Sequence, residues 1–439
     1  MIPRSRRFRE IDSYVDTGRY ESAVAAMEDD DLSLYGDAER VLYYLDAGML
    51  YHYAGEYEKS NQLLGQAERV IEDLFARSVS RAAASLLVND NVLEYPGEDY
   101  EDIYINVFKA LNFLALEKPD SAFVEIRRID EKLGVLEDKY ADLAAGMNAS
   151  EDRRIDFTPG ASRFYNSALA RYLSMLMYRA DGQLDEARID LRKIEEAWER
   201  HSNVYDFEMP RLASNEPDQP TINIISFVGK CPEKRANTLR IRTEQNLLII
   251  AGTVDRDYSA QTTANLIKWP GIQEGYHFKF QLPYMVSRES RVTSVSISID
   301  QKPATVLHPI ESIENIAFET YKVKEPLMYL KGITRTVIKG ILAERAKREI
   351  EKRVDNPFLS LAGTLATDVA TDASEMADLR LARYYPKEAH IAEIPVSSGT
   401  HKVRIEYSAS NGEVIFIDDL GEVDVKPGEL TLLESFFLN

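Results

Sequence analysis

The stretch YLDAGMLYHYAGEYEKSNQLLGQA, residues 44–67, decides the fold of the first half of the chain. Large, small and aromatic residues recur around a central Gly-x-Tyr, which is typical of two helices joined by a tight turn. Gly48 allows the two helices to approach closely, and Gly55 ends the first helix. The marker positions are Tyr44, Ala47, Gly48, Tyr51, Gly55, Tyr57, Ser60, Leu64 and Ala67.

These offsets match the tetratricopeptide repeat, a helix–turn–helix unit of about 34 residues. Weaker copies surround Gly18-Arg19-Tyr20, Lys118-Pro119-Asp120 and Gly182-Gln183-Leu184. The first gap between copies fits the repeat, whereas the later two leave about 30 extra residues each. We place extra helices or long loops there, at 74–101 and 135–158. A helical array over residues 1–212 follows, and such arrays generally bind a protein segment.

The second half of the chain reads mostly as β-strand. A linker at 213–220 precedes alternating or continuous apolar runs separated by Gly-containing turns. These runs predict β-rich parts at 221–320 and 386–439 around a helical insertion at 321–385, and the two parts could complete one sandwich. The predicted strands are 221–229, 239–243, 246–252, 276–283, 291–299, 391–394, 402–407, 414–417, 422–425 and 431–436. The fold class is therefore α+β, with a tetratricopeptide-like helical array followed by a β-sandwich-like domain with a helical insertion.

The insertion begins with a basic amphipathic helix, predicted from Glu325 to Arg353. Residues 322–353 contain ten Lys or Arg and four acids in a chain of net charge −20. The helix could dock weakly on an anionic membrane, bind an acidic partner, or pair with the acidic array of the same chain. Intramolecular pairing needs no further assumption. A second, alanine-rich helix is predicted after Pro357.

Composition limits the chemistry available to the chain. Its 73 acids and 53 basic residues make nucleic-acid binding unfavourable. The single cysteine, Cys231, and six scattered histidines cannot supply a multi-cysteine zinc site. Neither the Gly-x-Ser-x-Gly nor the His-Glu-x-x-His motif is present. We therefore predict no catalytic residue, cofactor or metal ligand, and no enzymatic activity.

Two charged stretches are candidates for recognition. The polar, tyrosine-punctuated insert at 89–101 either carries recognition or caps a helix end. The run from Glu125 through Arg127 and Arg128 to Asp130 is more often a solvated helix face, and the alternative is a charge network lining the array.

The same strings resemble a little-characterised bacterial family of tetratricopeptide-containing envelope lipoproteins. The resemblance spans most of the chain and is strongest over 40–133. Its motifs include Asn89-Asp90, Gly97-Glu98-Asp99-Tyr100-Glu101, Val124-Glu125-x-Arg127-Arg128 and, near the C-terminus, Ala377-Asp378-x-Arg380. The resemblance implies a shared functional surface. Its candidate partner-binding residues are Asn89, Asp90, Glu98, Asp99, Tyr100, Glu101, Arg127 and Arg128.

The resemblance also implies export and lipid anchoring at the outer membrane, in the company of other envelope lipoproteins or cell-wall enzymes. The lipid-attachment cysteine of the family is absent from this sequence. Three arginines near the start are followed by acids rather than an apolar segment. We therefore expect a periplasmic, anchored protein if a leader has been removed, and a cytoplasmic one otherwise.

The predicted function is a non-enzymatic scaffold that binds protein partners in the bacterial envelope. The alternatives are a ligand- or glycan-binding module or enzyme with its site in the insert 89–101, and a soluble cytosolic adaptor.

Overall fold

The structure, a computed structural model, describes residues 4–28, 34–83, 86–150, 155–162, 164–212, 219–256, 259–353 and 376–439. Over these ranges it contains nine α-helices and twelve strands in three sheets. The mixed α+β class is confirmed. Most of the predicted linker, and the alanine-rich helix after Pro357 up to residue 375, lie outside the described residues.

The first half consists of helices that pack in consecutive pairs. Gly48 shows why α3 and α4 lie so close, because a Cβ at this position would stand 2.8 Å from the Leu64 side chain. Gly55 turns the chain between them with φ +77°, a conformation that favours glycine. The helices are α1 (Arg4–Val15), α2 (Tyr20–Glu28), α3 (Arg40–Tyr53), α4 (Tyr57–Ser80), α5 (Asp99–Ala115), α6 (Pro119–Asn148), α7 (Ala168–Ala180) and α8 (Leu184–Arg200).

The extra residues between the repeats lengthen the second helices of two pairs. Helix α4 has 24 residues and α6 has 30, so both extend well beyond a repeat helix. A loop containing a short 3₁₀ helix at Asp90–Val92 then leads from α4 to α5. The described extra residues thus extend existing helices and form loops, and no additional α-helix of the predicted kind lies among them.

The second half contains three four-stranded sheets, with orders β12-β1-β9-β8, β11-β10-β6-β7 and β4-β3-β2-β5. Strand β1 pairs parallel with β12 and antiparallel with β9, so the first sheet is mixed. The strands are β1 (Thr221–Val228), β2 (Glu233–Glu244), β3 (Leu247–Arg256), β4 (Ser259–Lys268), β5 (His277–Val286), β6 (Ser294–Ile299), β7 (Lys302–Val306), β8 (His308–Ser312), β9 (Glu388–Pro395), β10 (Gly399–Ser408), β11 (Val414–Val425) and β12 (Thr431–Phe437).

Two of the sheets combine strands from both sides of the helical insertion, as the sequence predicts. Ile224 of β1, Ile297 of β6 and Ile405 of β10 belong to one apolar cluster that the first and second sheets share. The third sheet was not foreseen as a separate layer. It packs against the long helix α9 (Ile313–Arg353) through Phe280, Ile333 and Val337.

Helix α9 begins at Ile313, twelve residues before the predicted start at Glu325. The prediction was wrong because Pro326 suits a helix start, whereas here it lies inside the helix. Proline has no N–H, so the carbonyl of Lys322 lacks its usual helical donor. Gly160 lies against this turn, and its N–H donates to the Val323 carbonyl at 2.8 Å.

The strand predictions also needed correction. Strands β4, β7 and β8 were not predicted, since their residues are polar or contain proline. The two short strands predicted at 414–417 and 422–425 form the single strand β11. An irregularity in its pairing at Leu420, beside Gly421 with φ +75°, breaks the period-two pattern between them.

Candidate functional site

The candidate site is the face along which the first helix of each pair meets the second half of the chain. Asp12 of α1, Asp46 of α3, Glu101 of α5 and Arg179 of α7 all bond to residues between 382 and 393. Most of these contacts fall on residues 376–387, which precede β9 and contain neither helix nor strand. We call this stretch the junction segment.

Arg380 holds the start of the junction segment against the loop between α4 and α5. Its guanidinium donates to the carbonyl oxygens of Asp90 and Leu93, each at 2.9 Å. It also forms a two-pronged ion pair with Asp378, with distances of 2.7 and 2.8 Å. Burial opposes ionisation of Asp378, but the hydrogen bonds from Arg380 outweigh it and lower the pKa of this carboxyl.

Two buried carboxylates of the helices accept hydrogen bonds from consecutive backbone N–H groups of the junction segment. The N–H of Ala382 donates to Glu101 Oε1 at 2.7 Å, and the N–H of Arg383 donates to Asp46 Oδ1 at 2.6 Å. The second oxygens are also occupied, since the Tyr95 hydroxyl donates to Glu101 and the Tyr35 hydroxyl to Asp46, both at 2.8 Å. These bonds recognise backbone rather than side chains.

Burial raises the pKa of both carboxyls to about 7. For Glu101, the neighbouring charge of Glu98 raises the pKa further. For Asp46, the Arg383 amide and guanidinium limit the rise. Both groups therefore titrate near neutral pH while bonded to the junction segment.

Two buried tyrosines of the junction segment, Tyr384 and Tyr385, form further hydrogen bonds to both halves of the chain. Tyr384 accepts at its carbonyl from the Tyr53 hydroxyl at 2.8 Å and donates its own hydroxyl to Asp12 at 3.1 Å. The Tyr385 hydroxyl donates to the Glu101 carbonyl at 3.2 Å, while its own carbonyl accepts from the Cys231 N–H at 2.9 Å. The segment is thus held from the helices on one side and from the β-rich half on the other.

Glu98, at the start of α5, connects the array to the third sheet and to α9. Its carboxylate lies 2.5 Å from Lys234 of β2 and also pairs with Lys324 of α9. Burial lowers the pKa of Lys324, but Glu98 and Asp99 outweigh this and raise it. Farther along α9, Lys331 pairs with Asp90 at 2.6 Å. Described lysines of the basic helix therefore pair with acids of the same chain, the third of the three possibilities considered from the sequence.

Another buried carboxylate, Glu311 of β8, extends from the β-rich half into the helical half. It accepts from the Tyr104 hydroxyl at 2.5 Å, from Ser167 and Tyr205 at 2.9 Å, and from the backbone N–H of Leu169 at 3.1 Å. Its position at the N-terminus of α7 favours negative charge. Burial is the larger effect and raises the pKa of Glu311.

The charged run on α6 contains both a network and a solvated part. Glu125 pairs with Lys109 at 2.9 Å, and Arg128 pairs with Glu68 at 3.0 Å. Glu68 also pairs with Lys132 and Lys109, and these two lysines outweigh burial and lower the pKa of Glu68 to about 2. The more common solvated arrangement was therefore wrong for the buried Glu125, whose partner Lys109 lies on α5, out of view of the local sequence. Arg128 combines both arrangements, since it pairs with Glu68 of α4 while its side chain stays 45% exposed.

The structure divides the predicted partner-binding residues into two groups. Glu98, Asp99, Tyr100 and Glu101 are buried, and so is Asn89, which donates to the Met376 carbonyl at 3.3 Å. Asp99 binds Lys139 and Tyr140, both at 2.7 Å. Asp90 is bonded to Lys331, whereas Arg127 and Arg128 are exposed on α6. The insert thus faces its own chain, and the two arginines face outward.

The only cysteine of the chain, Cys231, is buried. Burial raises the pKa of the Cys231 thiol well above its ordinary value, and the thiol donates to the Pro386 carbonyl at 2.9 Å. Over the described ranges, no three His, Cys, Asp or Glu side chains are grouped as metal ligands. No helix within them is long and apolar enough to cross a membrane.

The comparisons with known proteins supply no relative. No protein-family model matches the chain, and no curated protein or solved structure does either.

Sequence reasoning singled out the acidic insert but missed its partners Lys234, Lys324 and Lys331. It also missed the buried carboxylate of Glu311 and the contacts of Arg383. Arg380 and Asp378 were noted only as part of the string Ala377-Asp378-x-Arg380. That string was the available signal, since a charged pair between apolar residues in a predicted helix is a reason to look for a buried ion pair.

Proposed function

We propose that the chain is a non-enzymatic scaffold of the bacterial cell envelope that binds protein partners, with a role in cell-wall synthesis or outer-membrane assembly. In this proposal, helices α1–α8 are a tetratricopeptide-like array, and the first two sheets are a β-sandwich-like unit. The periplasmic location and the lipid anchoring in this proposal rest on the resemblance of the strings at 40–133 to envelope lipoproteins.

The observation that carries the proposal is that the helical half binds the junction segment through hydrogen bonds from its backbone. Asp46 and Glu101, on the first helices of two successive pairs, hold consecutive amides of an irregular chain segment. Binding a segment of chain along one face is the usual activity of helical repeat arrays. Here the ligand belongs to the same chain, so this face fixes the β-rich half and leaves other surfaces for partners.

The exposed side of α6 is the surface we propose for partners. Val124 and Val135 are exposed by 42% and 55%, and Arg127 and Arg128 lie between them on the same side. Spacings of three and four residues place such side chains in one stripe. Apolar side chains flanking exposed arginines are typical of protein interfaces, where arginine is enriched.

A photo-crosslinking amino acid at Arg127 tests this surface in the organism that encodes the protein. The matched control carries it at Arg404, an exposed arginine on β10. We expect adducts at position 127, absent at 404, that contain envelope proteins identified by mass spectrometry. Fractionation of the same cells should place the untreated protein with the envelope.

Two results would contradict the proposal. Equal adduct patterns at 127 and 404 would show that the α6 surface is not the partner-binding surface. Adducts with cytosolic proteins alone would contradict the envelope location. Turnover of cell-wall material by the purified protein, abolished by Asp99→Asn, would instead favour an enzyme with its site near the insert.

A further inference from the structure

The third sheet has one face under α9 and one face turned away from it. Leu239 and Ile241 of β2 point to the helix and are buried, so the alternate residues Arg240 and Arg242 point to the opposite side. The same alternation holds on the neighbouring strands. We call the side that includes Arg240 and Arg242 the outer face of the sheet.

Basic side chains occupy one half of the outer face. Arg240 is the cross-strand partner of Lys279, and Arg242 is that of His277. All four are exposed. The outward acid on the described part of these strands is Glu244, whose carboxylate pairs with Arg242 at 3.0 Å. With Glu244 offsetting Arg242 and His277 neutral, the positive charge of this half comes from Arg240 and Lys279, although the whole chain carries a charge of −20.

Aliphatic side chains occupy the other half. Ile249 of β3 is the partner of both Arg242 and Leu266, and Leu247 is the partner of Lys268. Leu266 is 66% exposed, and Leu247 and Ile249 are half-buried. Leu247–Ile250 reads as a strand buried on both faces, yet its outward residues stay in contact with solvent.

We infer that the outer face of the third sheet docks on the surface of a lipid bilayer that contains anionic headgroups. The aliphatic half can enter the boundary between headgroups and acyl chains, while the basic half pairs with the lipid phosphates. The described outward positions contain no Phe, Tyr or Trp, so they offer no stacking platform for nucleic-acid bases. Charge complementarity and the adjoining aliphatic strip together favour the bilayer.

This surface differs from the membrane contact considered from the sequence. Lys324 and Lys331 of α9 pair with acids of the helical half, whereas Arg240, Lys279 and Leu266 of the outer face are exposed. Docking here would add to any lipid anchor. It does not depend on the proposed scaffold function.

Vesicle co-sedimentation of the full chain tests the inference. We expect binding to vesicles of phosphatidylglycerol and phosphatidylcholine, weakened by salt, and none to phosphatidylcholine alone. Replacing Arg240 and Lys279 by glutamate should lower the partition coefficient by about 25-fold or more, at about fivefold per lost charge. The matched control, Lys402→Glu with Arg404→Glu on exposed positions of β10, should bind like the unmodified protein.

A labelled variant tests the aliphatic half directly and does not depend on the charge changes. Cys231 is fully buried, so Leu266→Cys can carry a polarity-sensitive dye selectively. Its emission should shift to the blue on phosphatidylglycerol vesicles. Unchanged emission, no binding to the anionic vesicles, or equal loss in the control would overturn the inference. Binding to an immobilised acidic polypeptide without any binding to vesicles would overturn it in favour of a protein partner.

Discussion

Replacing Glu101 by glutamine should flatten the dependence of stability on pH. Burial and the neighbouring Glu98 raise the pKa of Glu101 from 4.5 to about 7 in the folded protein. The folded state therefore binds the proton more tightly than the unfolded state does. The contribution of Glu101 to stability is full below about pH 4.5 and is lost as the pH rises through about 7.

The magnitude follows from the size of this pKa difference. At about 1.4 kcal/mol per pKa unit, the contribution of Glu101 to the free energy of unfolding falls by about 3 kcal/mol from acid to mildly alkaline pH. Glutamine has nearly the same shape and can still accept the Ala382 amide, but it cannot ionise. The Tyr95 hydroxyl and the Glu98 N–H both donate to the second oxygen, so both lose this acceptor when an amide group replaces it.

The assay is urea unfolding of both proteins at about pH 5 and about pH 8. The free energy of unfolding should fall less in Glu101→Gln than in the unmodified protein, by about 3 kcal/mol. Other titrating groups cancel in this comparison of two differences. The conservative change Glu131→Gln, at an exposed position of α6, is the matched control and should keep the full dependence. Equal pH dependence in Glu101→Gln and the unmodified protein would refute the reasoning.

Two further substitutions test the packing around the junction. Gly160→Ala would place a Cβ 2.1 Å from a carbonyl oxygen of α9, so we expect about 1–3 kcal/mol or more of destabilisation. Gly134→Ala, which has no atom within 4 Å of the added Cβ, is the control and should be neutral or stabilising. Thermal unfolding measures both variants, and equal melting temperatures would contradict the close approach at Gly160. Arg380→Ala leaves the half-buried carboxylate of Asp378 without its ion-pair partner and should cost about 1–3 kcal/mol in denaturant unfolding, against less than about 0.5 kcal/mol for Arg404→Ala. A small, equal loss in both arginine variants would show that the Arg380 contacts contribute little.

The local parts of the fold could be predicted because their signals lie within short stretches. The pair α3–α4 depends on residues 44–67, which carry the small and large positions of both helices. Strand β1 is rich in Ile, Phe and Val and is buried from Ile222 to Val228, and it lies in the middle of a sheet as such strands usually do. These elements depend on contacts between neighbours in sequence or on simple burial.

The insert illustrates what the sequence could not reveal. Its acids and turn residues are typical of a surface loop, but Glu98 meets Lys234 from 136 positions away and Glu101 meets the Ala382 amide from 281 positions away. A charged side chain needs either solvent or a partner, but the sequence does not show where in the chain that partner lies. The residues singled out were therefore notable for a physical reason, and their surroundings became visible only in the folded chain.

Amide hydrogen exchange at Ala382 and Arg383 tests most directly whether the helical array grips the junction segment. Both amides donate to buried carboxylates although they lie outside any helix or strand, so nothing but this grip accounts for slow exchange. We expect them to exchange as slowly as the amides in the middle of α5 and to speed up in Glu101→Ala. Exchange as fast as that of Gly428, in an exposed turn, would contradict the account.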